Sequence, residues 1–122
     1  MITFLVITLV LLQVKHWYVD FVVQTQEEVD NKGKYGNWAG IQHSLKHGIG
    51  TFIVLLMIAG FSYFWIVLML AVFDFVTHYH IDWLKMNYGN RDITNKQFWS
   101  HLGLDQMAHQ MIYLVIAALF VL

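Results

Sequence analysis

The sequence predicts an all-α fold, a bundle of four transmembrane helices over approximate spans 2–24, 38–60, 62–86 and 97–121, forming a single integral membrane domain over residues 1–122. Three observations carry that expectation. The chain is 58% hydrophobic and only 12% charged, with a mean hydropathy of +0.54, whereas a soluble domain carries about 25% charged residues. Its apolar residues gather into long stretches separated by two polar ones, 26–37 and 87–97. Proline is absent, which removes the commonest cause of helix kinks.

Residues 1–14 contain no charged side chain, and the apolar run continues with interruptions to about Gln24. The segment lacks the basic n-region and small-residue cleavage site of a signal peptide, so a span is expected instead. Residues 26–37 (QEEVDNKGKYGN) are polar, contain two glycines and read as a loop. A second apolar region runs from Trp38 to about Lys85, with no charged side chain in 48–73. As one helix, residues 38–86 would extend roughly 70 Å, against a hydrocarbon core ~30 Å thick. The chain must therefore reverse, and Gly60-Phe61-Ser62 is the natural hairpin. Residues 87–97 (NYGNRDITNKQ) form another polar loop, and Thr94 followed by Gln97 matches a capping box for a last span from about Phe98 to Leu122.

Four spans put both polar loops on one membrane face, with the termini and the 60–62 hairpin on the other. All seven Lys and Arg residues (15, 32, 34, 46, 85, 91 and 96) lie in or near the first face. The positive-inside rule then assigns the loops to the cytoplasm and the termini to the outside, as expected for a protein of the bacterial inner membrane. Trp38, Trp83, Trp99, Tyr35 and Tyr88 fall where an interfacial aromatic belt belongs, and Trp65 suits the opposite edge.

Several function classes are excluded by composition. A formal net charge of −1 without a basic stripe gives no nucleic-acid footprint. The absence of cysteine removes disulfides, thiolate metal sites and cysteine nucleophiles.

Against this apolar background stand four pairs of ionisable residues spaced four apart: His16/Asp20, His43/His47, His78/Asp82 and Asp105/His109. Residues i and i+4 share one helix face, so each span presents a two-residue polar claw. Because the spans alternate in direction, all four claws come to one leaflet, within about 5–15 Å of the cytoplasmic boundary by helical rise. An Asp at the bilayer centre costs about 2.5–3.5 kcal/mol on insertion scales, so unpaired carboxylates at this depth are unfavourable. Imidazoles and carboxylates around a cation offset that penalty. With His and Asp donors and no thiolate, the expected cofactor is one or two divalent metal ions, Zn²⁺ first, with Mn²⁺ and Fe²⁺ suited to the same donors. A polar network that only bonds the helices to one another is the alternative for the same residues.

Asp74 continues the His78/Asp82 face by one turn, either supporting the ligands or bonding a neighbouring helix. His101 lies nearer the interface and is expected to be solvated, while His80 is turned about 200° from His78 and should face elsewhere. Gln24 and Gln106 extend the polar faces and are candidates for orienting a ligand or substrate, the alternative being side chains that only hydrogen-bond the helices. Lys32, Lys46 and Lys85 are candidates for holding an anionic headgroup, the alternative being lysines that snorkel to the interface.

The string His16-Trp-Tyr-Val-Asp20-Phe21-Val-Val-Gln24-Thr25 resembles the H-x-x-x-D-F-x-x-Q-T opening of small bacterial and phage membrane proteins grouped as Domain of Unknown Function 3307. Lys32, His43-x-x-x-His47, His78-x-x-x-Asp82-x-x-Lys85 and Asp105-Gln106-x-x-His109 resemble its later motifs in the same order, so the likeness covers essentially the whole chain. The family is similar at a distance to proteins described as predicted membrane-bound metal-dependent hydrolases. The resemblance implies a metal site more strongly than it implies hydrolysis.

The leading functional expectation is a membrane-embedded metal-dependent hydrolase opening toward the cytoplasmic leaflet. Asp20 or Asp82 would take a proton from a metal-bound water, and the substrate would be a lipid or lipid-linked phosphate, ester or amide. A metal-ion or proton transporter or channel is the second expectation, weakened by ionisable residues confined to one leaflet. The third is a non-catalytic small membrane subunit or phage factor with a structural polar or metal network. Membrane lipids are the expected partners, together with a homodimer, because four short helices enclose little volume.

Overall fold

In hydrocarbon a spanning segment has no water for its amides and carbonyls, so each apolar stretch closes its backbone hydrogen bonds within itself as a helix. A computed structural model describes residues 1–122. Helix α1 covers Ile2–Trp17 and runs on into a π-helical turn at Tyr18–Val22. The short α2 covers Gln26–Asn31, α3 Trp38–Ala59, α4 Phe64–Tyr88 and α5 Lys96–Val121, with a 3-10 turn at Phe61–Tyr63. The segments Ile2–Val22, Trp38–Ala59, Phe61–Tyr88 and Lys96–Val121 are long and apolar enough to cross a membrane.

The backbones form a ring in which α1 packs on α3, α3 on α4, α4 on α5 and α5 back on α1, while the diagonal backbones do not approach. Successive spans alternate in direction, so the molecule is an up-down-up-down bundle. The expected hairpin is present: Gly60 takes φ +78°, a region that glycine enters without steric penalty.

Two local expectations are corrected. Residues 26–37 are not loop throughout, because Thr25 and Glu28 form a capping box. Thr25 Oγ1 accepts from the Glu28 amide at 3.2 Å, and Glu28 Oε2 accepts from the Thr25 amide at 3.1 Å. The last span is capped by Asn95, whose Oδ1 accepts from the Gln97 amide at 2.9 Å, and not by Thr94. The Thr94 hydroxyl instead donates to Asp92 Oδ1 at 2.7 Å, which commits it to the preceding turn.

The bundle has two unlike halves. Toward the termini and the 60–62 hairpin, Leu12, Leu55, Val67, Leu70, Tyr113 and Ile116 form one apolar cluster. Toward the two polar loops the interior is polar, and over the whole chain more buried residues are polar or charged than apolar. Large apolar side chains such as Phe4, Val10, Ile53, Met69, Val72 and Leu114 are exposed around the outside, where lipid would cover them. Between spans, therefore, polar pairing and close packing supply the association that hydrophobic burial supplies in water.

Candidate metal centre

Each span buries a stripe that steps by four residues. The stripes are Thr8, Leu12, His16 and Asp20 on α1 and its π turn; His43, His47, Thr51 and Leu55 on α3; Leu70, Asp74, His78 and Asp82 on α4; and Asp105, His109, Tyr113 and Ala117 on α5. Every one of these side chains is buried. Alternating helix direction brings matching rungs to matching heights, so the four predicted claws meet in one layer.

In that layer His16, His43, His47, His78 and His109 all aim Nε2 at carboxylates. Asp20 Oδ1 lies 2.8 Å from His47 Nε2, 3.1 Å from His43 Nε2 and 3.8 Å from His78 Nε2. Asp82 Oδ2 lies 3.2 Å from His43 Nε2 and 3.4 Å from His78 Nε2, and its Oδ1 lies 3.3 Å from His109 Nε2. Asp105 Oδ1 is 3.4 Å from His109 Nε2. The His47 and His78 rings stack with centroids 3.5 Å apart, and the His78 and His109 rings with centroids 4.1 Å apart.

These spacings suit an ion. Donors held ~2.0–2.1 Å from a tetrahedral metal stand about 3.3 Å from one another, and the distances above bracket that value. Two groups of donor atoms lie mutually within 4.8 Å: Asp20, His43, His47 and His78, and then His78, Asp82 and His109. His43 Nε2, His78 Nε2, Asp82 Oδ2 and Asp105 Oδ1 are buried and make no hydrogen bond, meeting only ion-pair neighbours 3.1–3.8 Å away. A buried polar atom without a hydrogen bond costs about 1–3 kcal/mol, and one cation among these four would offset that cost for all of them.

Six of the eight predicted ligands fall in those groups; His16 and Asp105 flank them. His16 Nε2 is 3.1 Å from Asp20 Oδ2 and also donates to Gln106 Oε1 at 2.9 Å, while its Nδ1 accepts from the Tyr113 hydroxyl at 2.9 Å. Gln106 in turn donates to Asp105 Oδ2 at 3.1 Å. Gln106 therefore orients His16 and Asp105. Gln24 has a matching role on α1, donating to the Asp20 carbonyl at 2.9 Å and accepting from Lys32 Nζ at 3.0 Å. The π turn carries Asp20, and its wider ring closes through the Val23 amide on the Tyr18 carbonyl at 3.1 Å.

Two of the lysines expected to contact an anionic headgroup, Lys32 and Lys85, also pair with carboxylates of the layer. Lys32 Nζ lies 3.2 Å from Asp82 Oδ2 and Lys85 Nζ 3.2 Å from Asp105 Oδ2. Burial pulls the Lys32 ammonium toward its neutral form, but Asp82 and Asp20 outweigh it and hold its pKa above the ordinary lysine value.

Several buried residues escaped the sequence reading. Glu28, 1% exposed, places Oε2 3.4 Å from His43 Nδ1 and pairs with the Lys46 ammonium. Burial pushes its carboxyl up, and the bonds from Lys46 and Thr25 overcome that and hold it below the usual range. A carboxylate behind a histidine favours the ring orientation in which its far nitrogen faces a metal, here by charge at 3.4 Å and without a hydrogen bond. Lys15 was expected among the loop-face charges, yet it is 7% exposed inside the bundle. Its Nζ donates to Asp74 Oδ2 at 2.8 Å and to the Tyr113 hydroxyl at 3.0 Å, and lies 3.4 Å from His47 Nδ1. Thr51 Oγ1 also donates to Asp74 Oδ2, at 2.6 Å. Asp74 thus bonds neighbouring helices.

Sequence signals for these residues did exist: Thr25-x-x-Glu28 is a capping box, and Thr51 and Tyr113 extend their stripes by one more step of four. Outside the layer, His80 is exposed and bonds the Tyr35 hydroxyl and the Val76 carbonyl, so it does face elsewhere. His101 is not simply solvated, because its Nδ1 accepts from the Asn90 amide at 2.7 Å and fastens the second polar loop.

The model of the family described as Protein of unknown function (DUF3307) matches residues 7–122, nearly the whole chain. The chain belongs to this family. No curated protein and no solved structure matches it. The matched region contains all four claws and both polar loops.

Proposed function

We propose that this chain is a membrane-embedded metal-dependent hydrolase acting on a lipid or lipid-linked substrate at the cytoplasmic leaflet. The observation that carries this reading is the convergence of imidazole Nε2 atoms on buried carboxylates, with donor atoms from α3, α4 and α5 left without a hydrogen-bond partner. The donor set favours Zn²⁺, with Mn²⁺ and Fe²⁺ as the other fitting ions.

The centre is read as holding two ions. An imidazole Nε2 has one lone pair and serves one ion, so His78 cannot complete both groups. That leaves Asp20, His43 and His47 on one side and Asp82 and His109 on the other. A bound ion would supply an acidified water and a Lewis acid. Around it, Asp20 and Asp82 act as ligands, and Asp105, with an unpartnered Oδ1 beside His109, becomes the better-placed proton acceptor. Lys32 and Lys85 balance the carboxylates, and Gln24 and Gln106 hold the geometry.

Hydrolysis is favoured over transport by what lies along the bundle axis. Leu12, Leu55, Val67 and Ile116 are each 0% exposed and fill the half beyond the polar layer, where a permeation path would need polar lining. The cytoplasmic orientation is supported by Lys32, Lys34, Lys46, Lys85, Arg91 and Lys96, all near the two polar loops.

Metal analysis of purified protein, followed by assays on lipid phosphates, esters and amides with and without chelator, tests the reading. The expected result is bound metal and chelator-sensitive turnover. Equal turnover after His43→Ala and His47→Ala, or protein that never binds metal, overturns it.

A further inference from the structure

Two cavities open at the polar-loop end of the bundle and share one residue, Lys85. The first lies between the two polar loops, has a volume of about 280 Å³ and is lined by Gln24, Lys32, Lys85, Asn90 and Arg91 among others. Its charged lining is entirely cationic, and through Lys32 it reaches Asp82 Oδ2, 3.2 Å from the ammonium. The second is an apolar groove of about 270 Å³ between α4 and α5, lined by Ile81, Leu84, Tyr88, Leu104 and Ala108. Its polar inner wall is Lys85, His101 and Asp105. Leu84, Tyr88 and Leu104 are more than half exposed, so the groove opens to the side of the bundle, where lipid would be.

Lys85 forms the ridge between the two spaces. Its ammonium bonds Asp105 Oδ2 at 3.2 Å, and Asp105 Oδ1, buried and unpartnered, points to His109 Nε2 3.4 Å away. A molecule crossing that ridge has a charged end among cations and an apolar end in the groove, and its polar–apolar junction lies beside the metal layer.

We propose that the ligand of this site is a phosphate-bearing amphiphile, its anionic head in the Lys32–Lys85–Arg91 vestibule and one acyl chain in the α4–α5 groove. This deepens the hydrolase reading and rests on it for the chemistry, but not for the binding. Charge complementarity selects the head, and an open apolar channel at bilayer depth selects an acyl chain over a soluble phosphate.

The test is native mass spectrometry of the full chain in non-ionic detergent after chelation. Lysophosphatidic acids of increasing chain length are compared with a diacylglycerol, which has chains without phosphate, and with inorganic phosphate, which has no chain. Affinity is expected to rise with chain length, with the diacylglycerol and inorganic phosphate at least ~10-fold weaker than the longest lysophosphatidic acid. Ala108→Trp, which fills the groove, is expected to weaken the long-chain ligand by ~10-fold, while Val115→Trp on the outer surface of α5 leaves it unchanged. Arg91→Ala should weaken every phosphate-bearing ligand severalfold, and less so at high salt.

Chain-length independence in the wild-type protein, or diacylglycerol bound as well as the phosphate-bearing ligand, overturns the inference even if Ala108→Trp misfolds. The two proposals fail separately. A protein that binds the amphiphile without chelator-sensitive turnover of any substrate keeps this inference and loses the hydrolase reading. One that hydrolyses a chainless phosphate ester with no chain-length preference does the reverse.

Discussion

If the layer holds two ions, removing one ligand from each side weakens them separately. His47 belongs only to the group with Asp20, and His109 only to the group with Asp82, whereas His78 lies in both. A structural Zn²⁺ site with four ligands contributes about 10–16 kcal/mol, or roughly 3 kcal/mol per ligand. At about 1.4 kcal/mol per tenfold, His47→Ala should weaken one ion by ~100-fold and leave the other within severalfold. His109→Ala should spare the first ion and weaken the second. His47→Ala combined with His109→Ala should weaken both. The assay is competition against a chromophoric chelator of graded affinity, with elemental analysis to count ions per chain. If His47→Ala and His109→Ala weaken the same ion and the count in the wild-type protein is one, the two-ion arrangement is refuted. If neither changes binding, the donor layer is a hydrogen-bonded network and the catalytic proposal falls with it.

Other consequences follow from the residues around the layer. Lys15→Met leaves Asp74 buried and without its ammonium, which should cost about 3–5 kcal/mol in thermal unfolding in detergent. Combining Lys15→Met with Asp74→Leu should recover most of that loss. Glu28→Gln removes the charge behind His43 while an amide can still serve the capping box, so metal affinity should fall about 10–100-fold in the same chelator competition. Thr25→Ala should instead cost ~1 kcal/mol of stability with metal affinity nearly unchanged. Gly50→Val places a side chain where a Cβ already comes within 2.7 Å of Lys15 Cγ, so unfolding measurements should find a loss of about 1–3 kcal/mol.

The number of spans, their limits to within a few residues and the Gly60 reversal were all legible in the linear chain, because bilayer thickness and the need to satisfy every backbone amide leave few alternatives. The four claws were legible for a related reason: ionisable residues are so costly in hydrocarbon that a repeated four-residue spacing stands out against it. That spacing, with alternating helix direction, was enough to place His16, His43, His47, His78, His109 and their carboxylates in one layer.

What pairs with what was decided only by tertiary structure. Nothing local distinguishes Lys15, buried on Asp74, from Lys46 at the bundle edge, because the difference lies in how α1 packs on α3 at Gly50. Nor does the linear order reveal that Glu28 stands behind His43, that His16 is engaged by Gln106 and Tyr113, or that Lys32 and Lys85 turn inward to carboxylates. Each of those contacts joins residues from different segments. A residue's own helix sets its height and the face it occupies, but the neighbour it meets there is set by the rotation and spacing of another helix. The chain therefore determined which groups lie at the same depth, and the packing of the bundle determined which of them face a common centre and which hold the others in place.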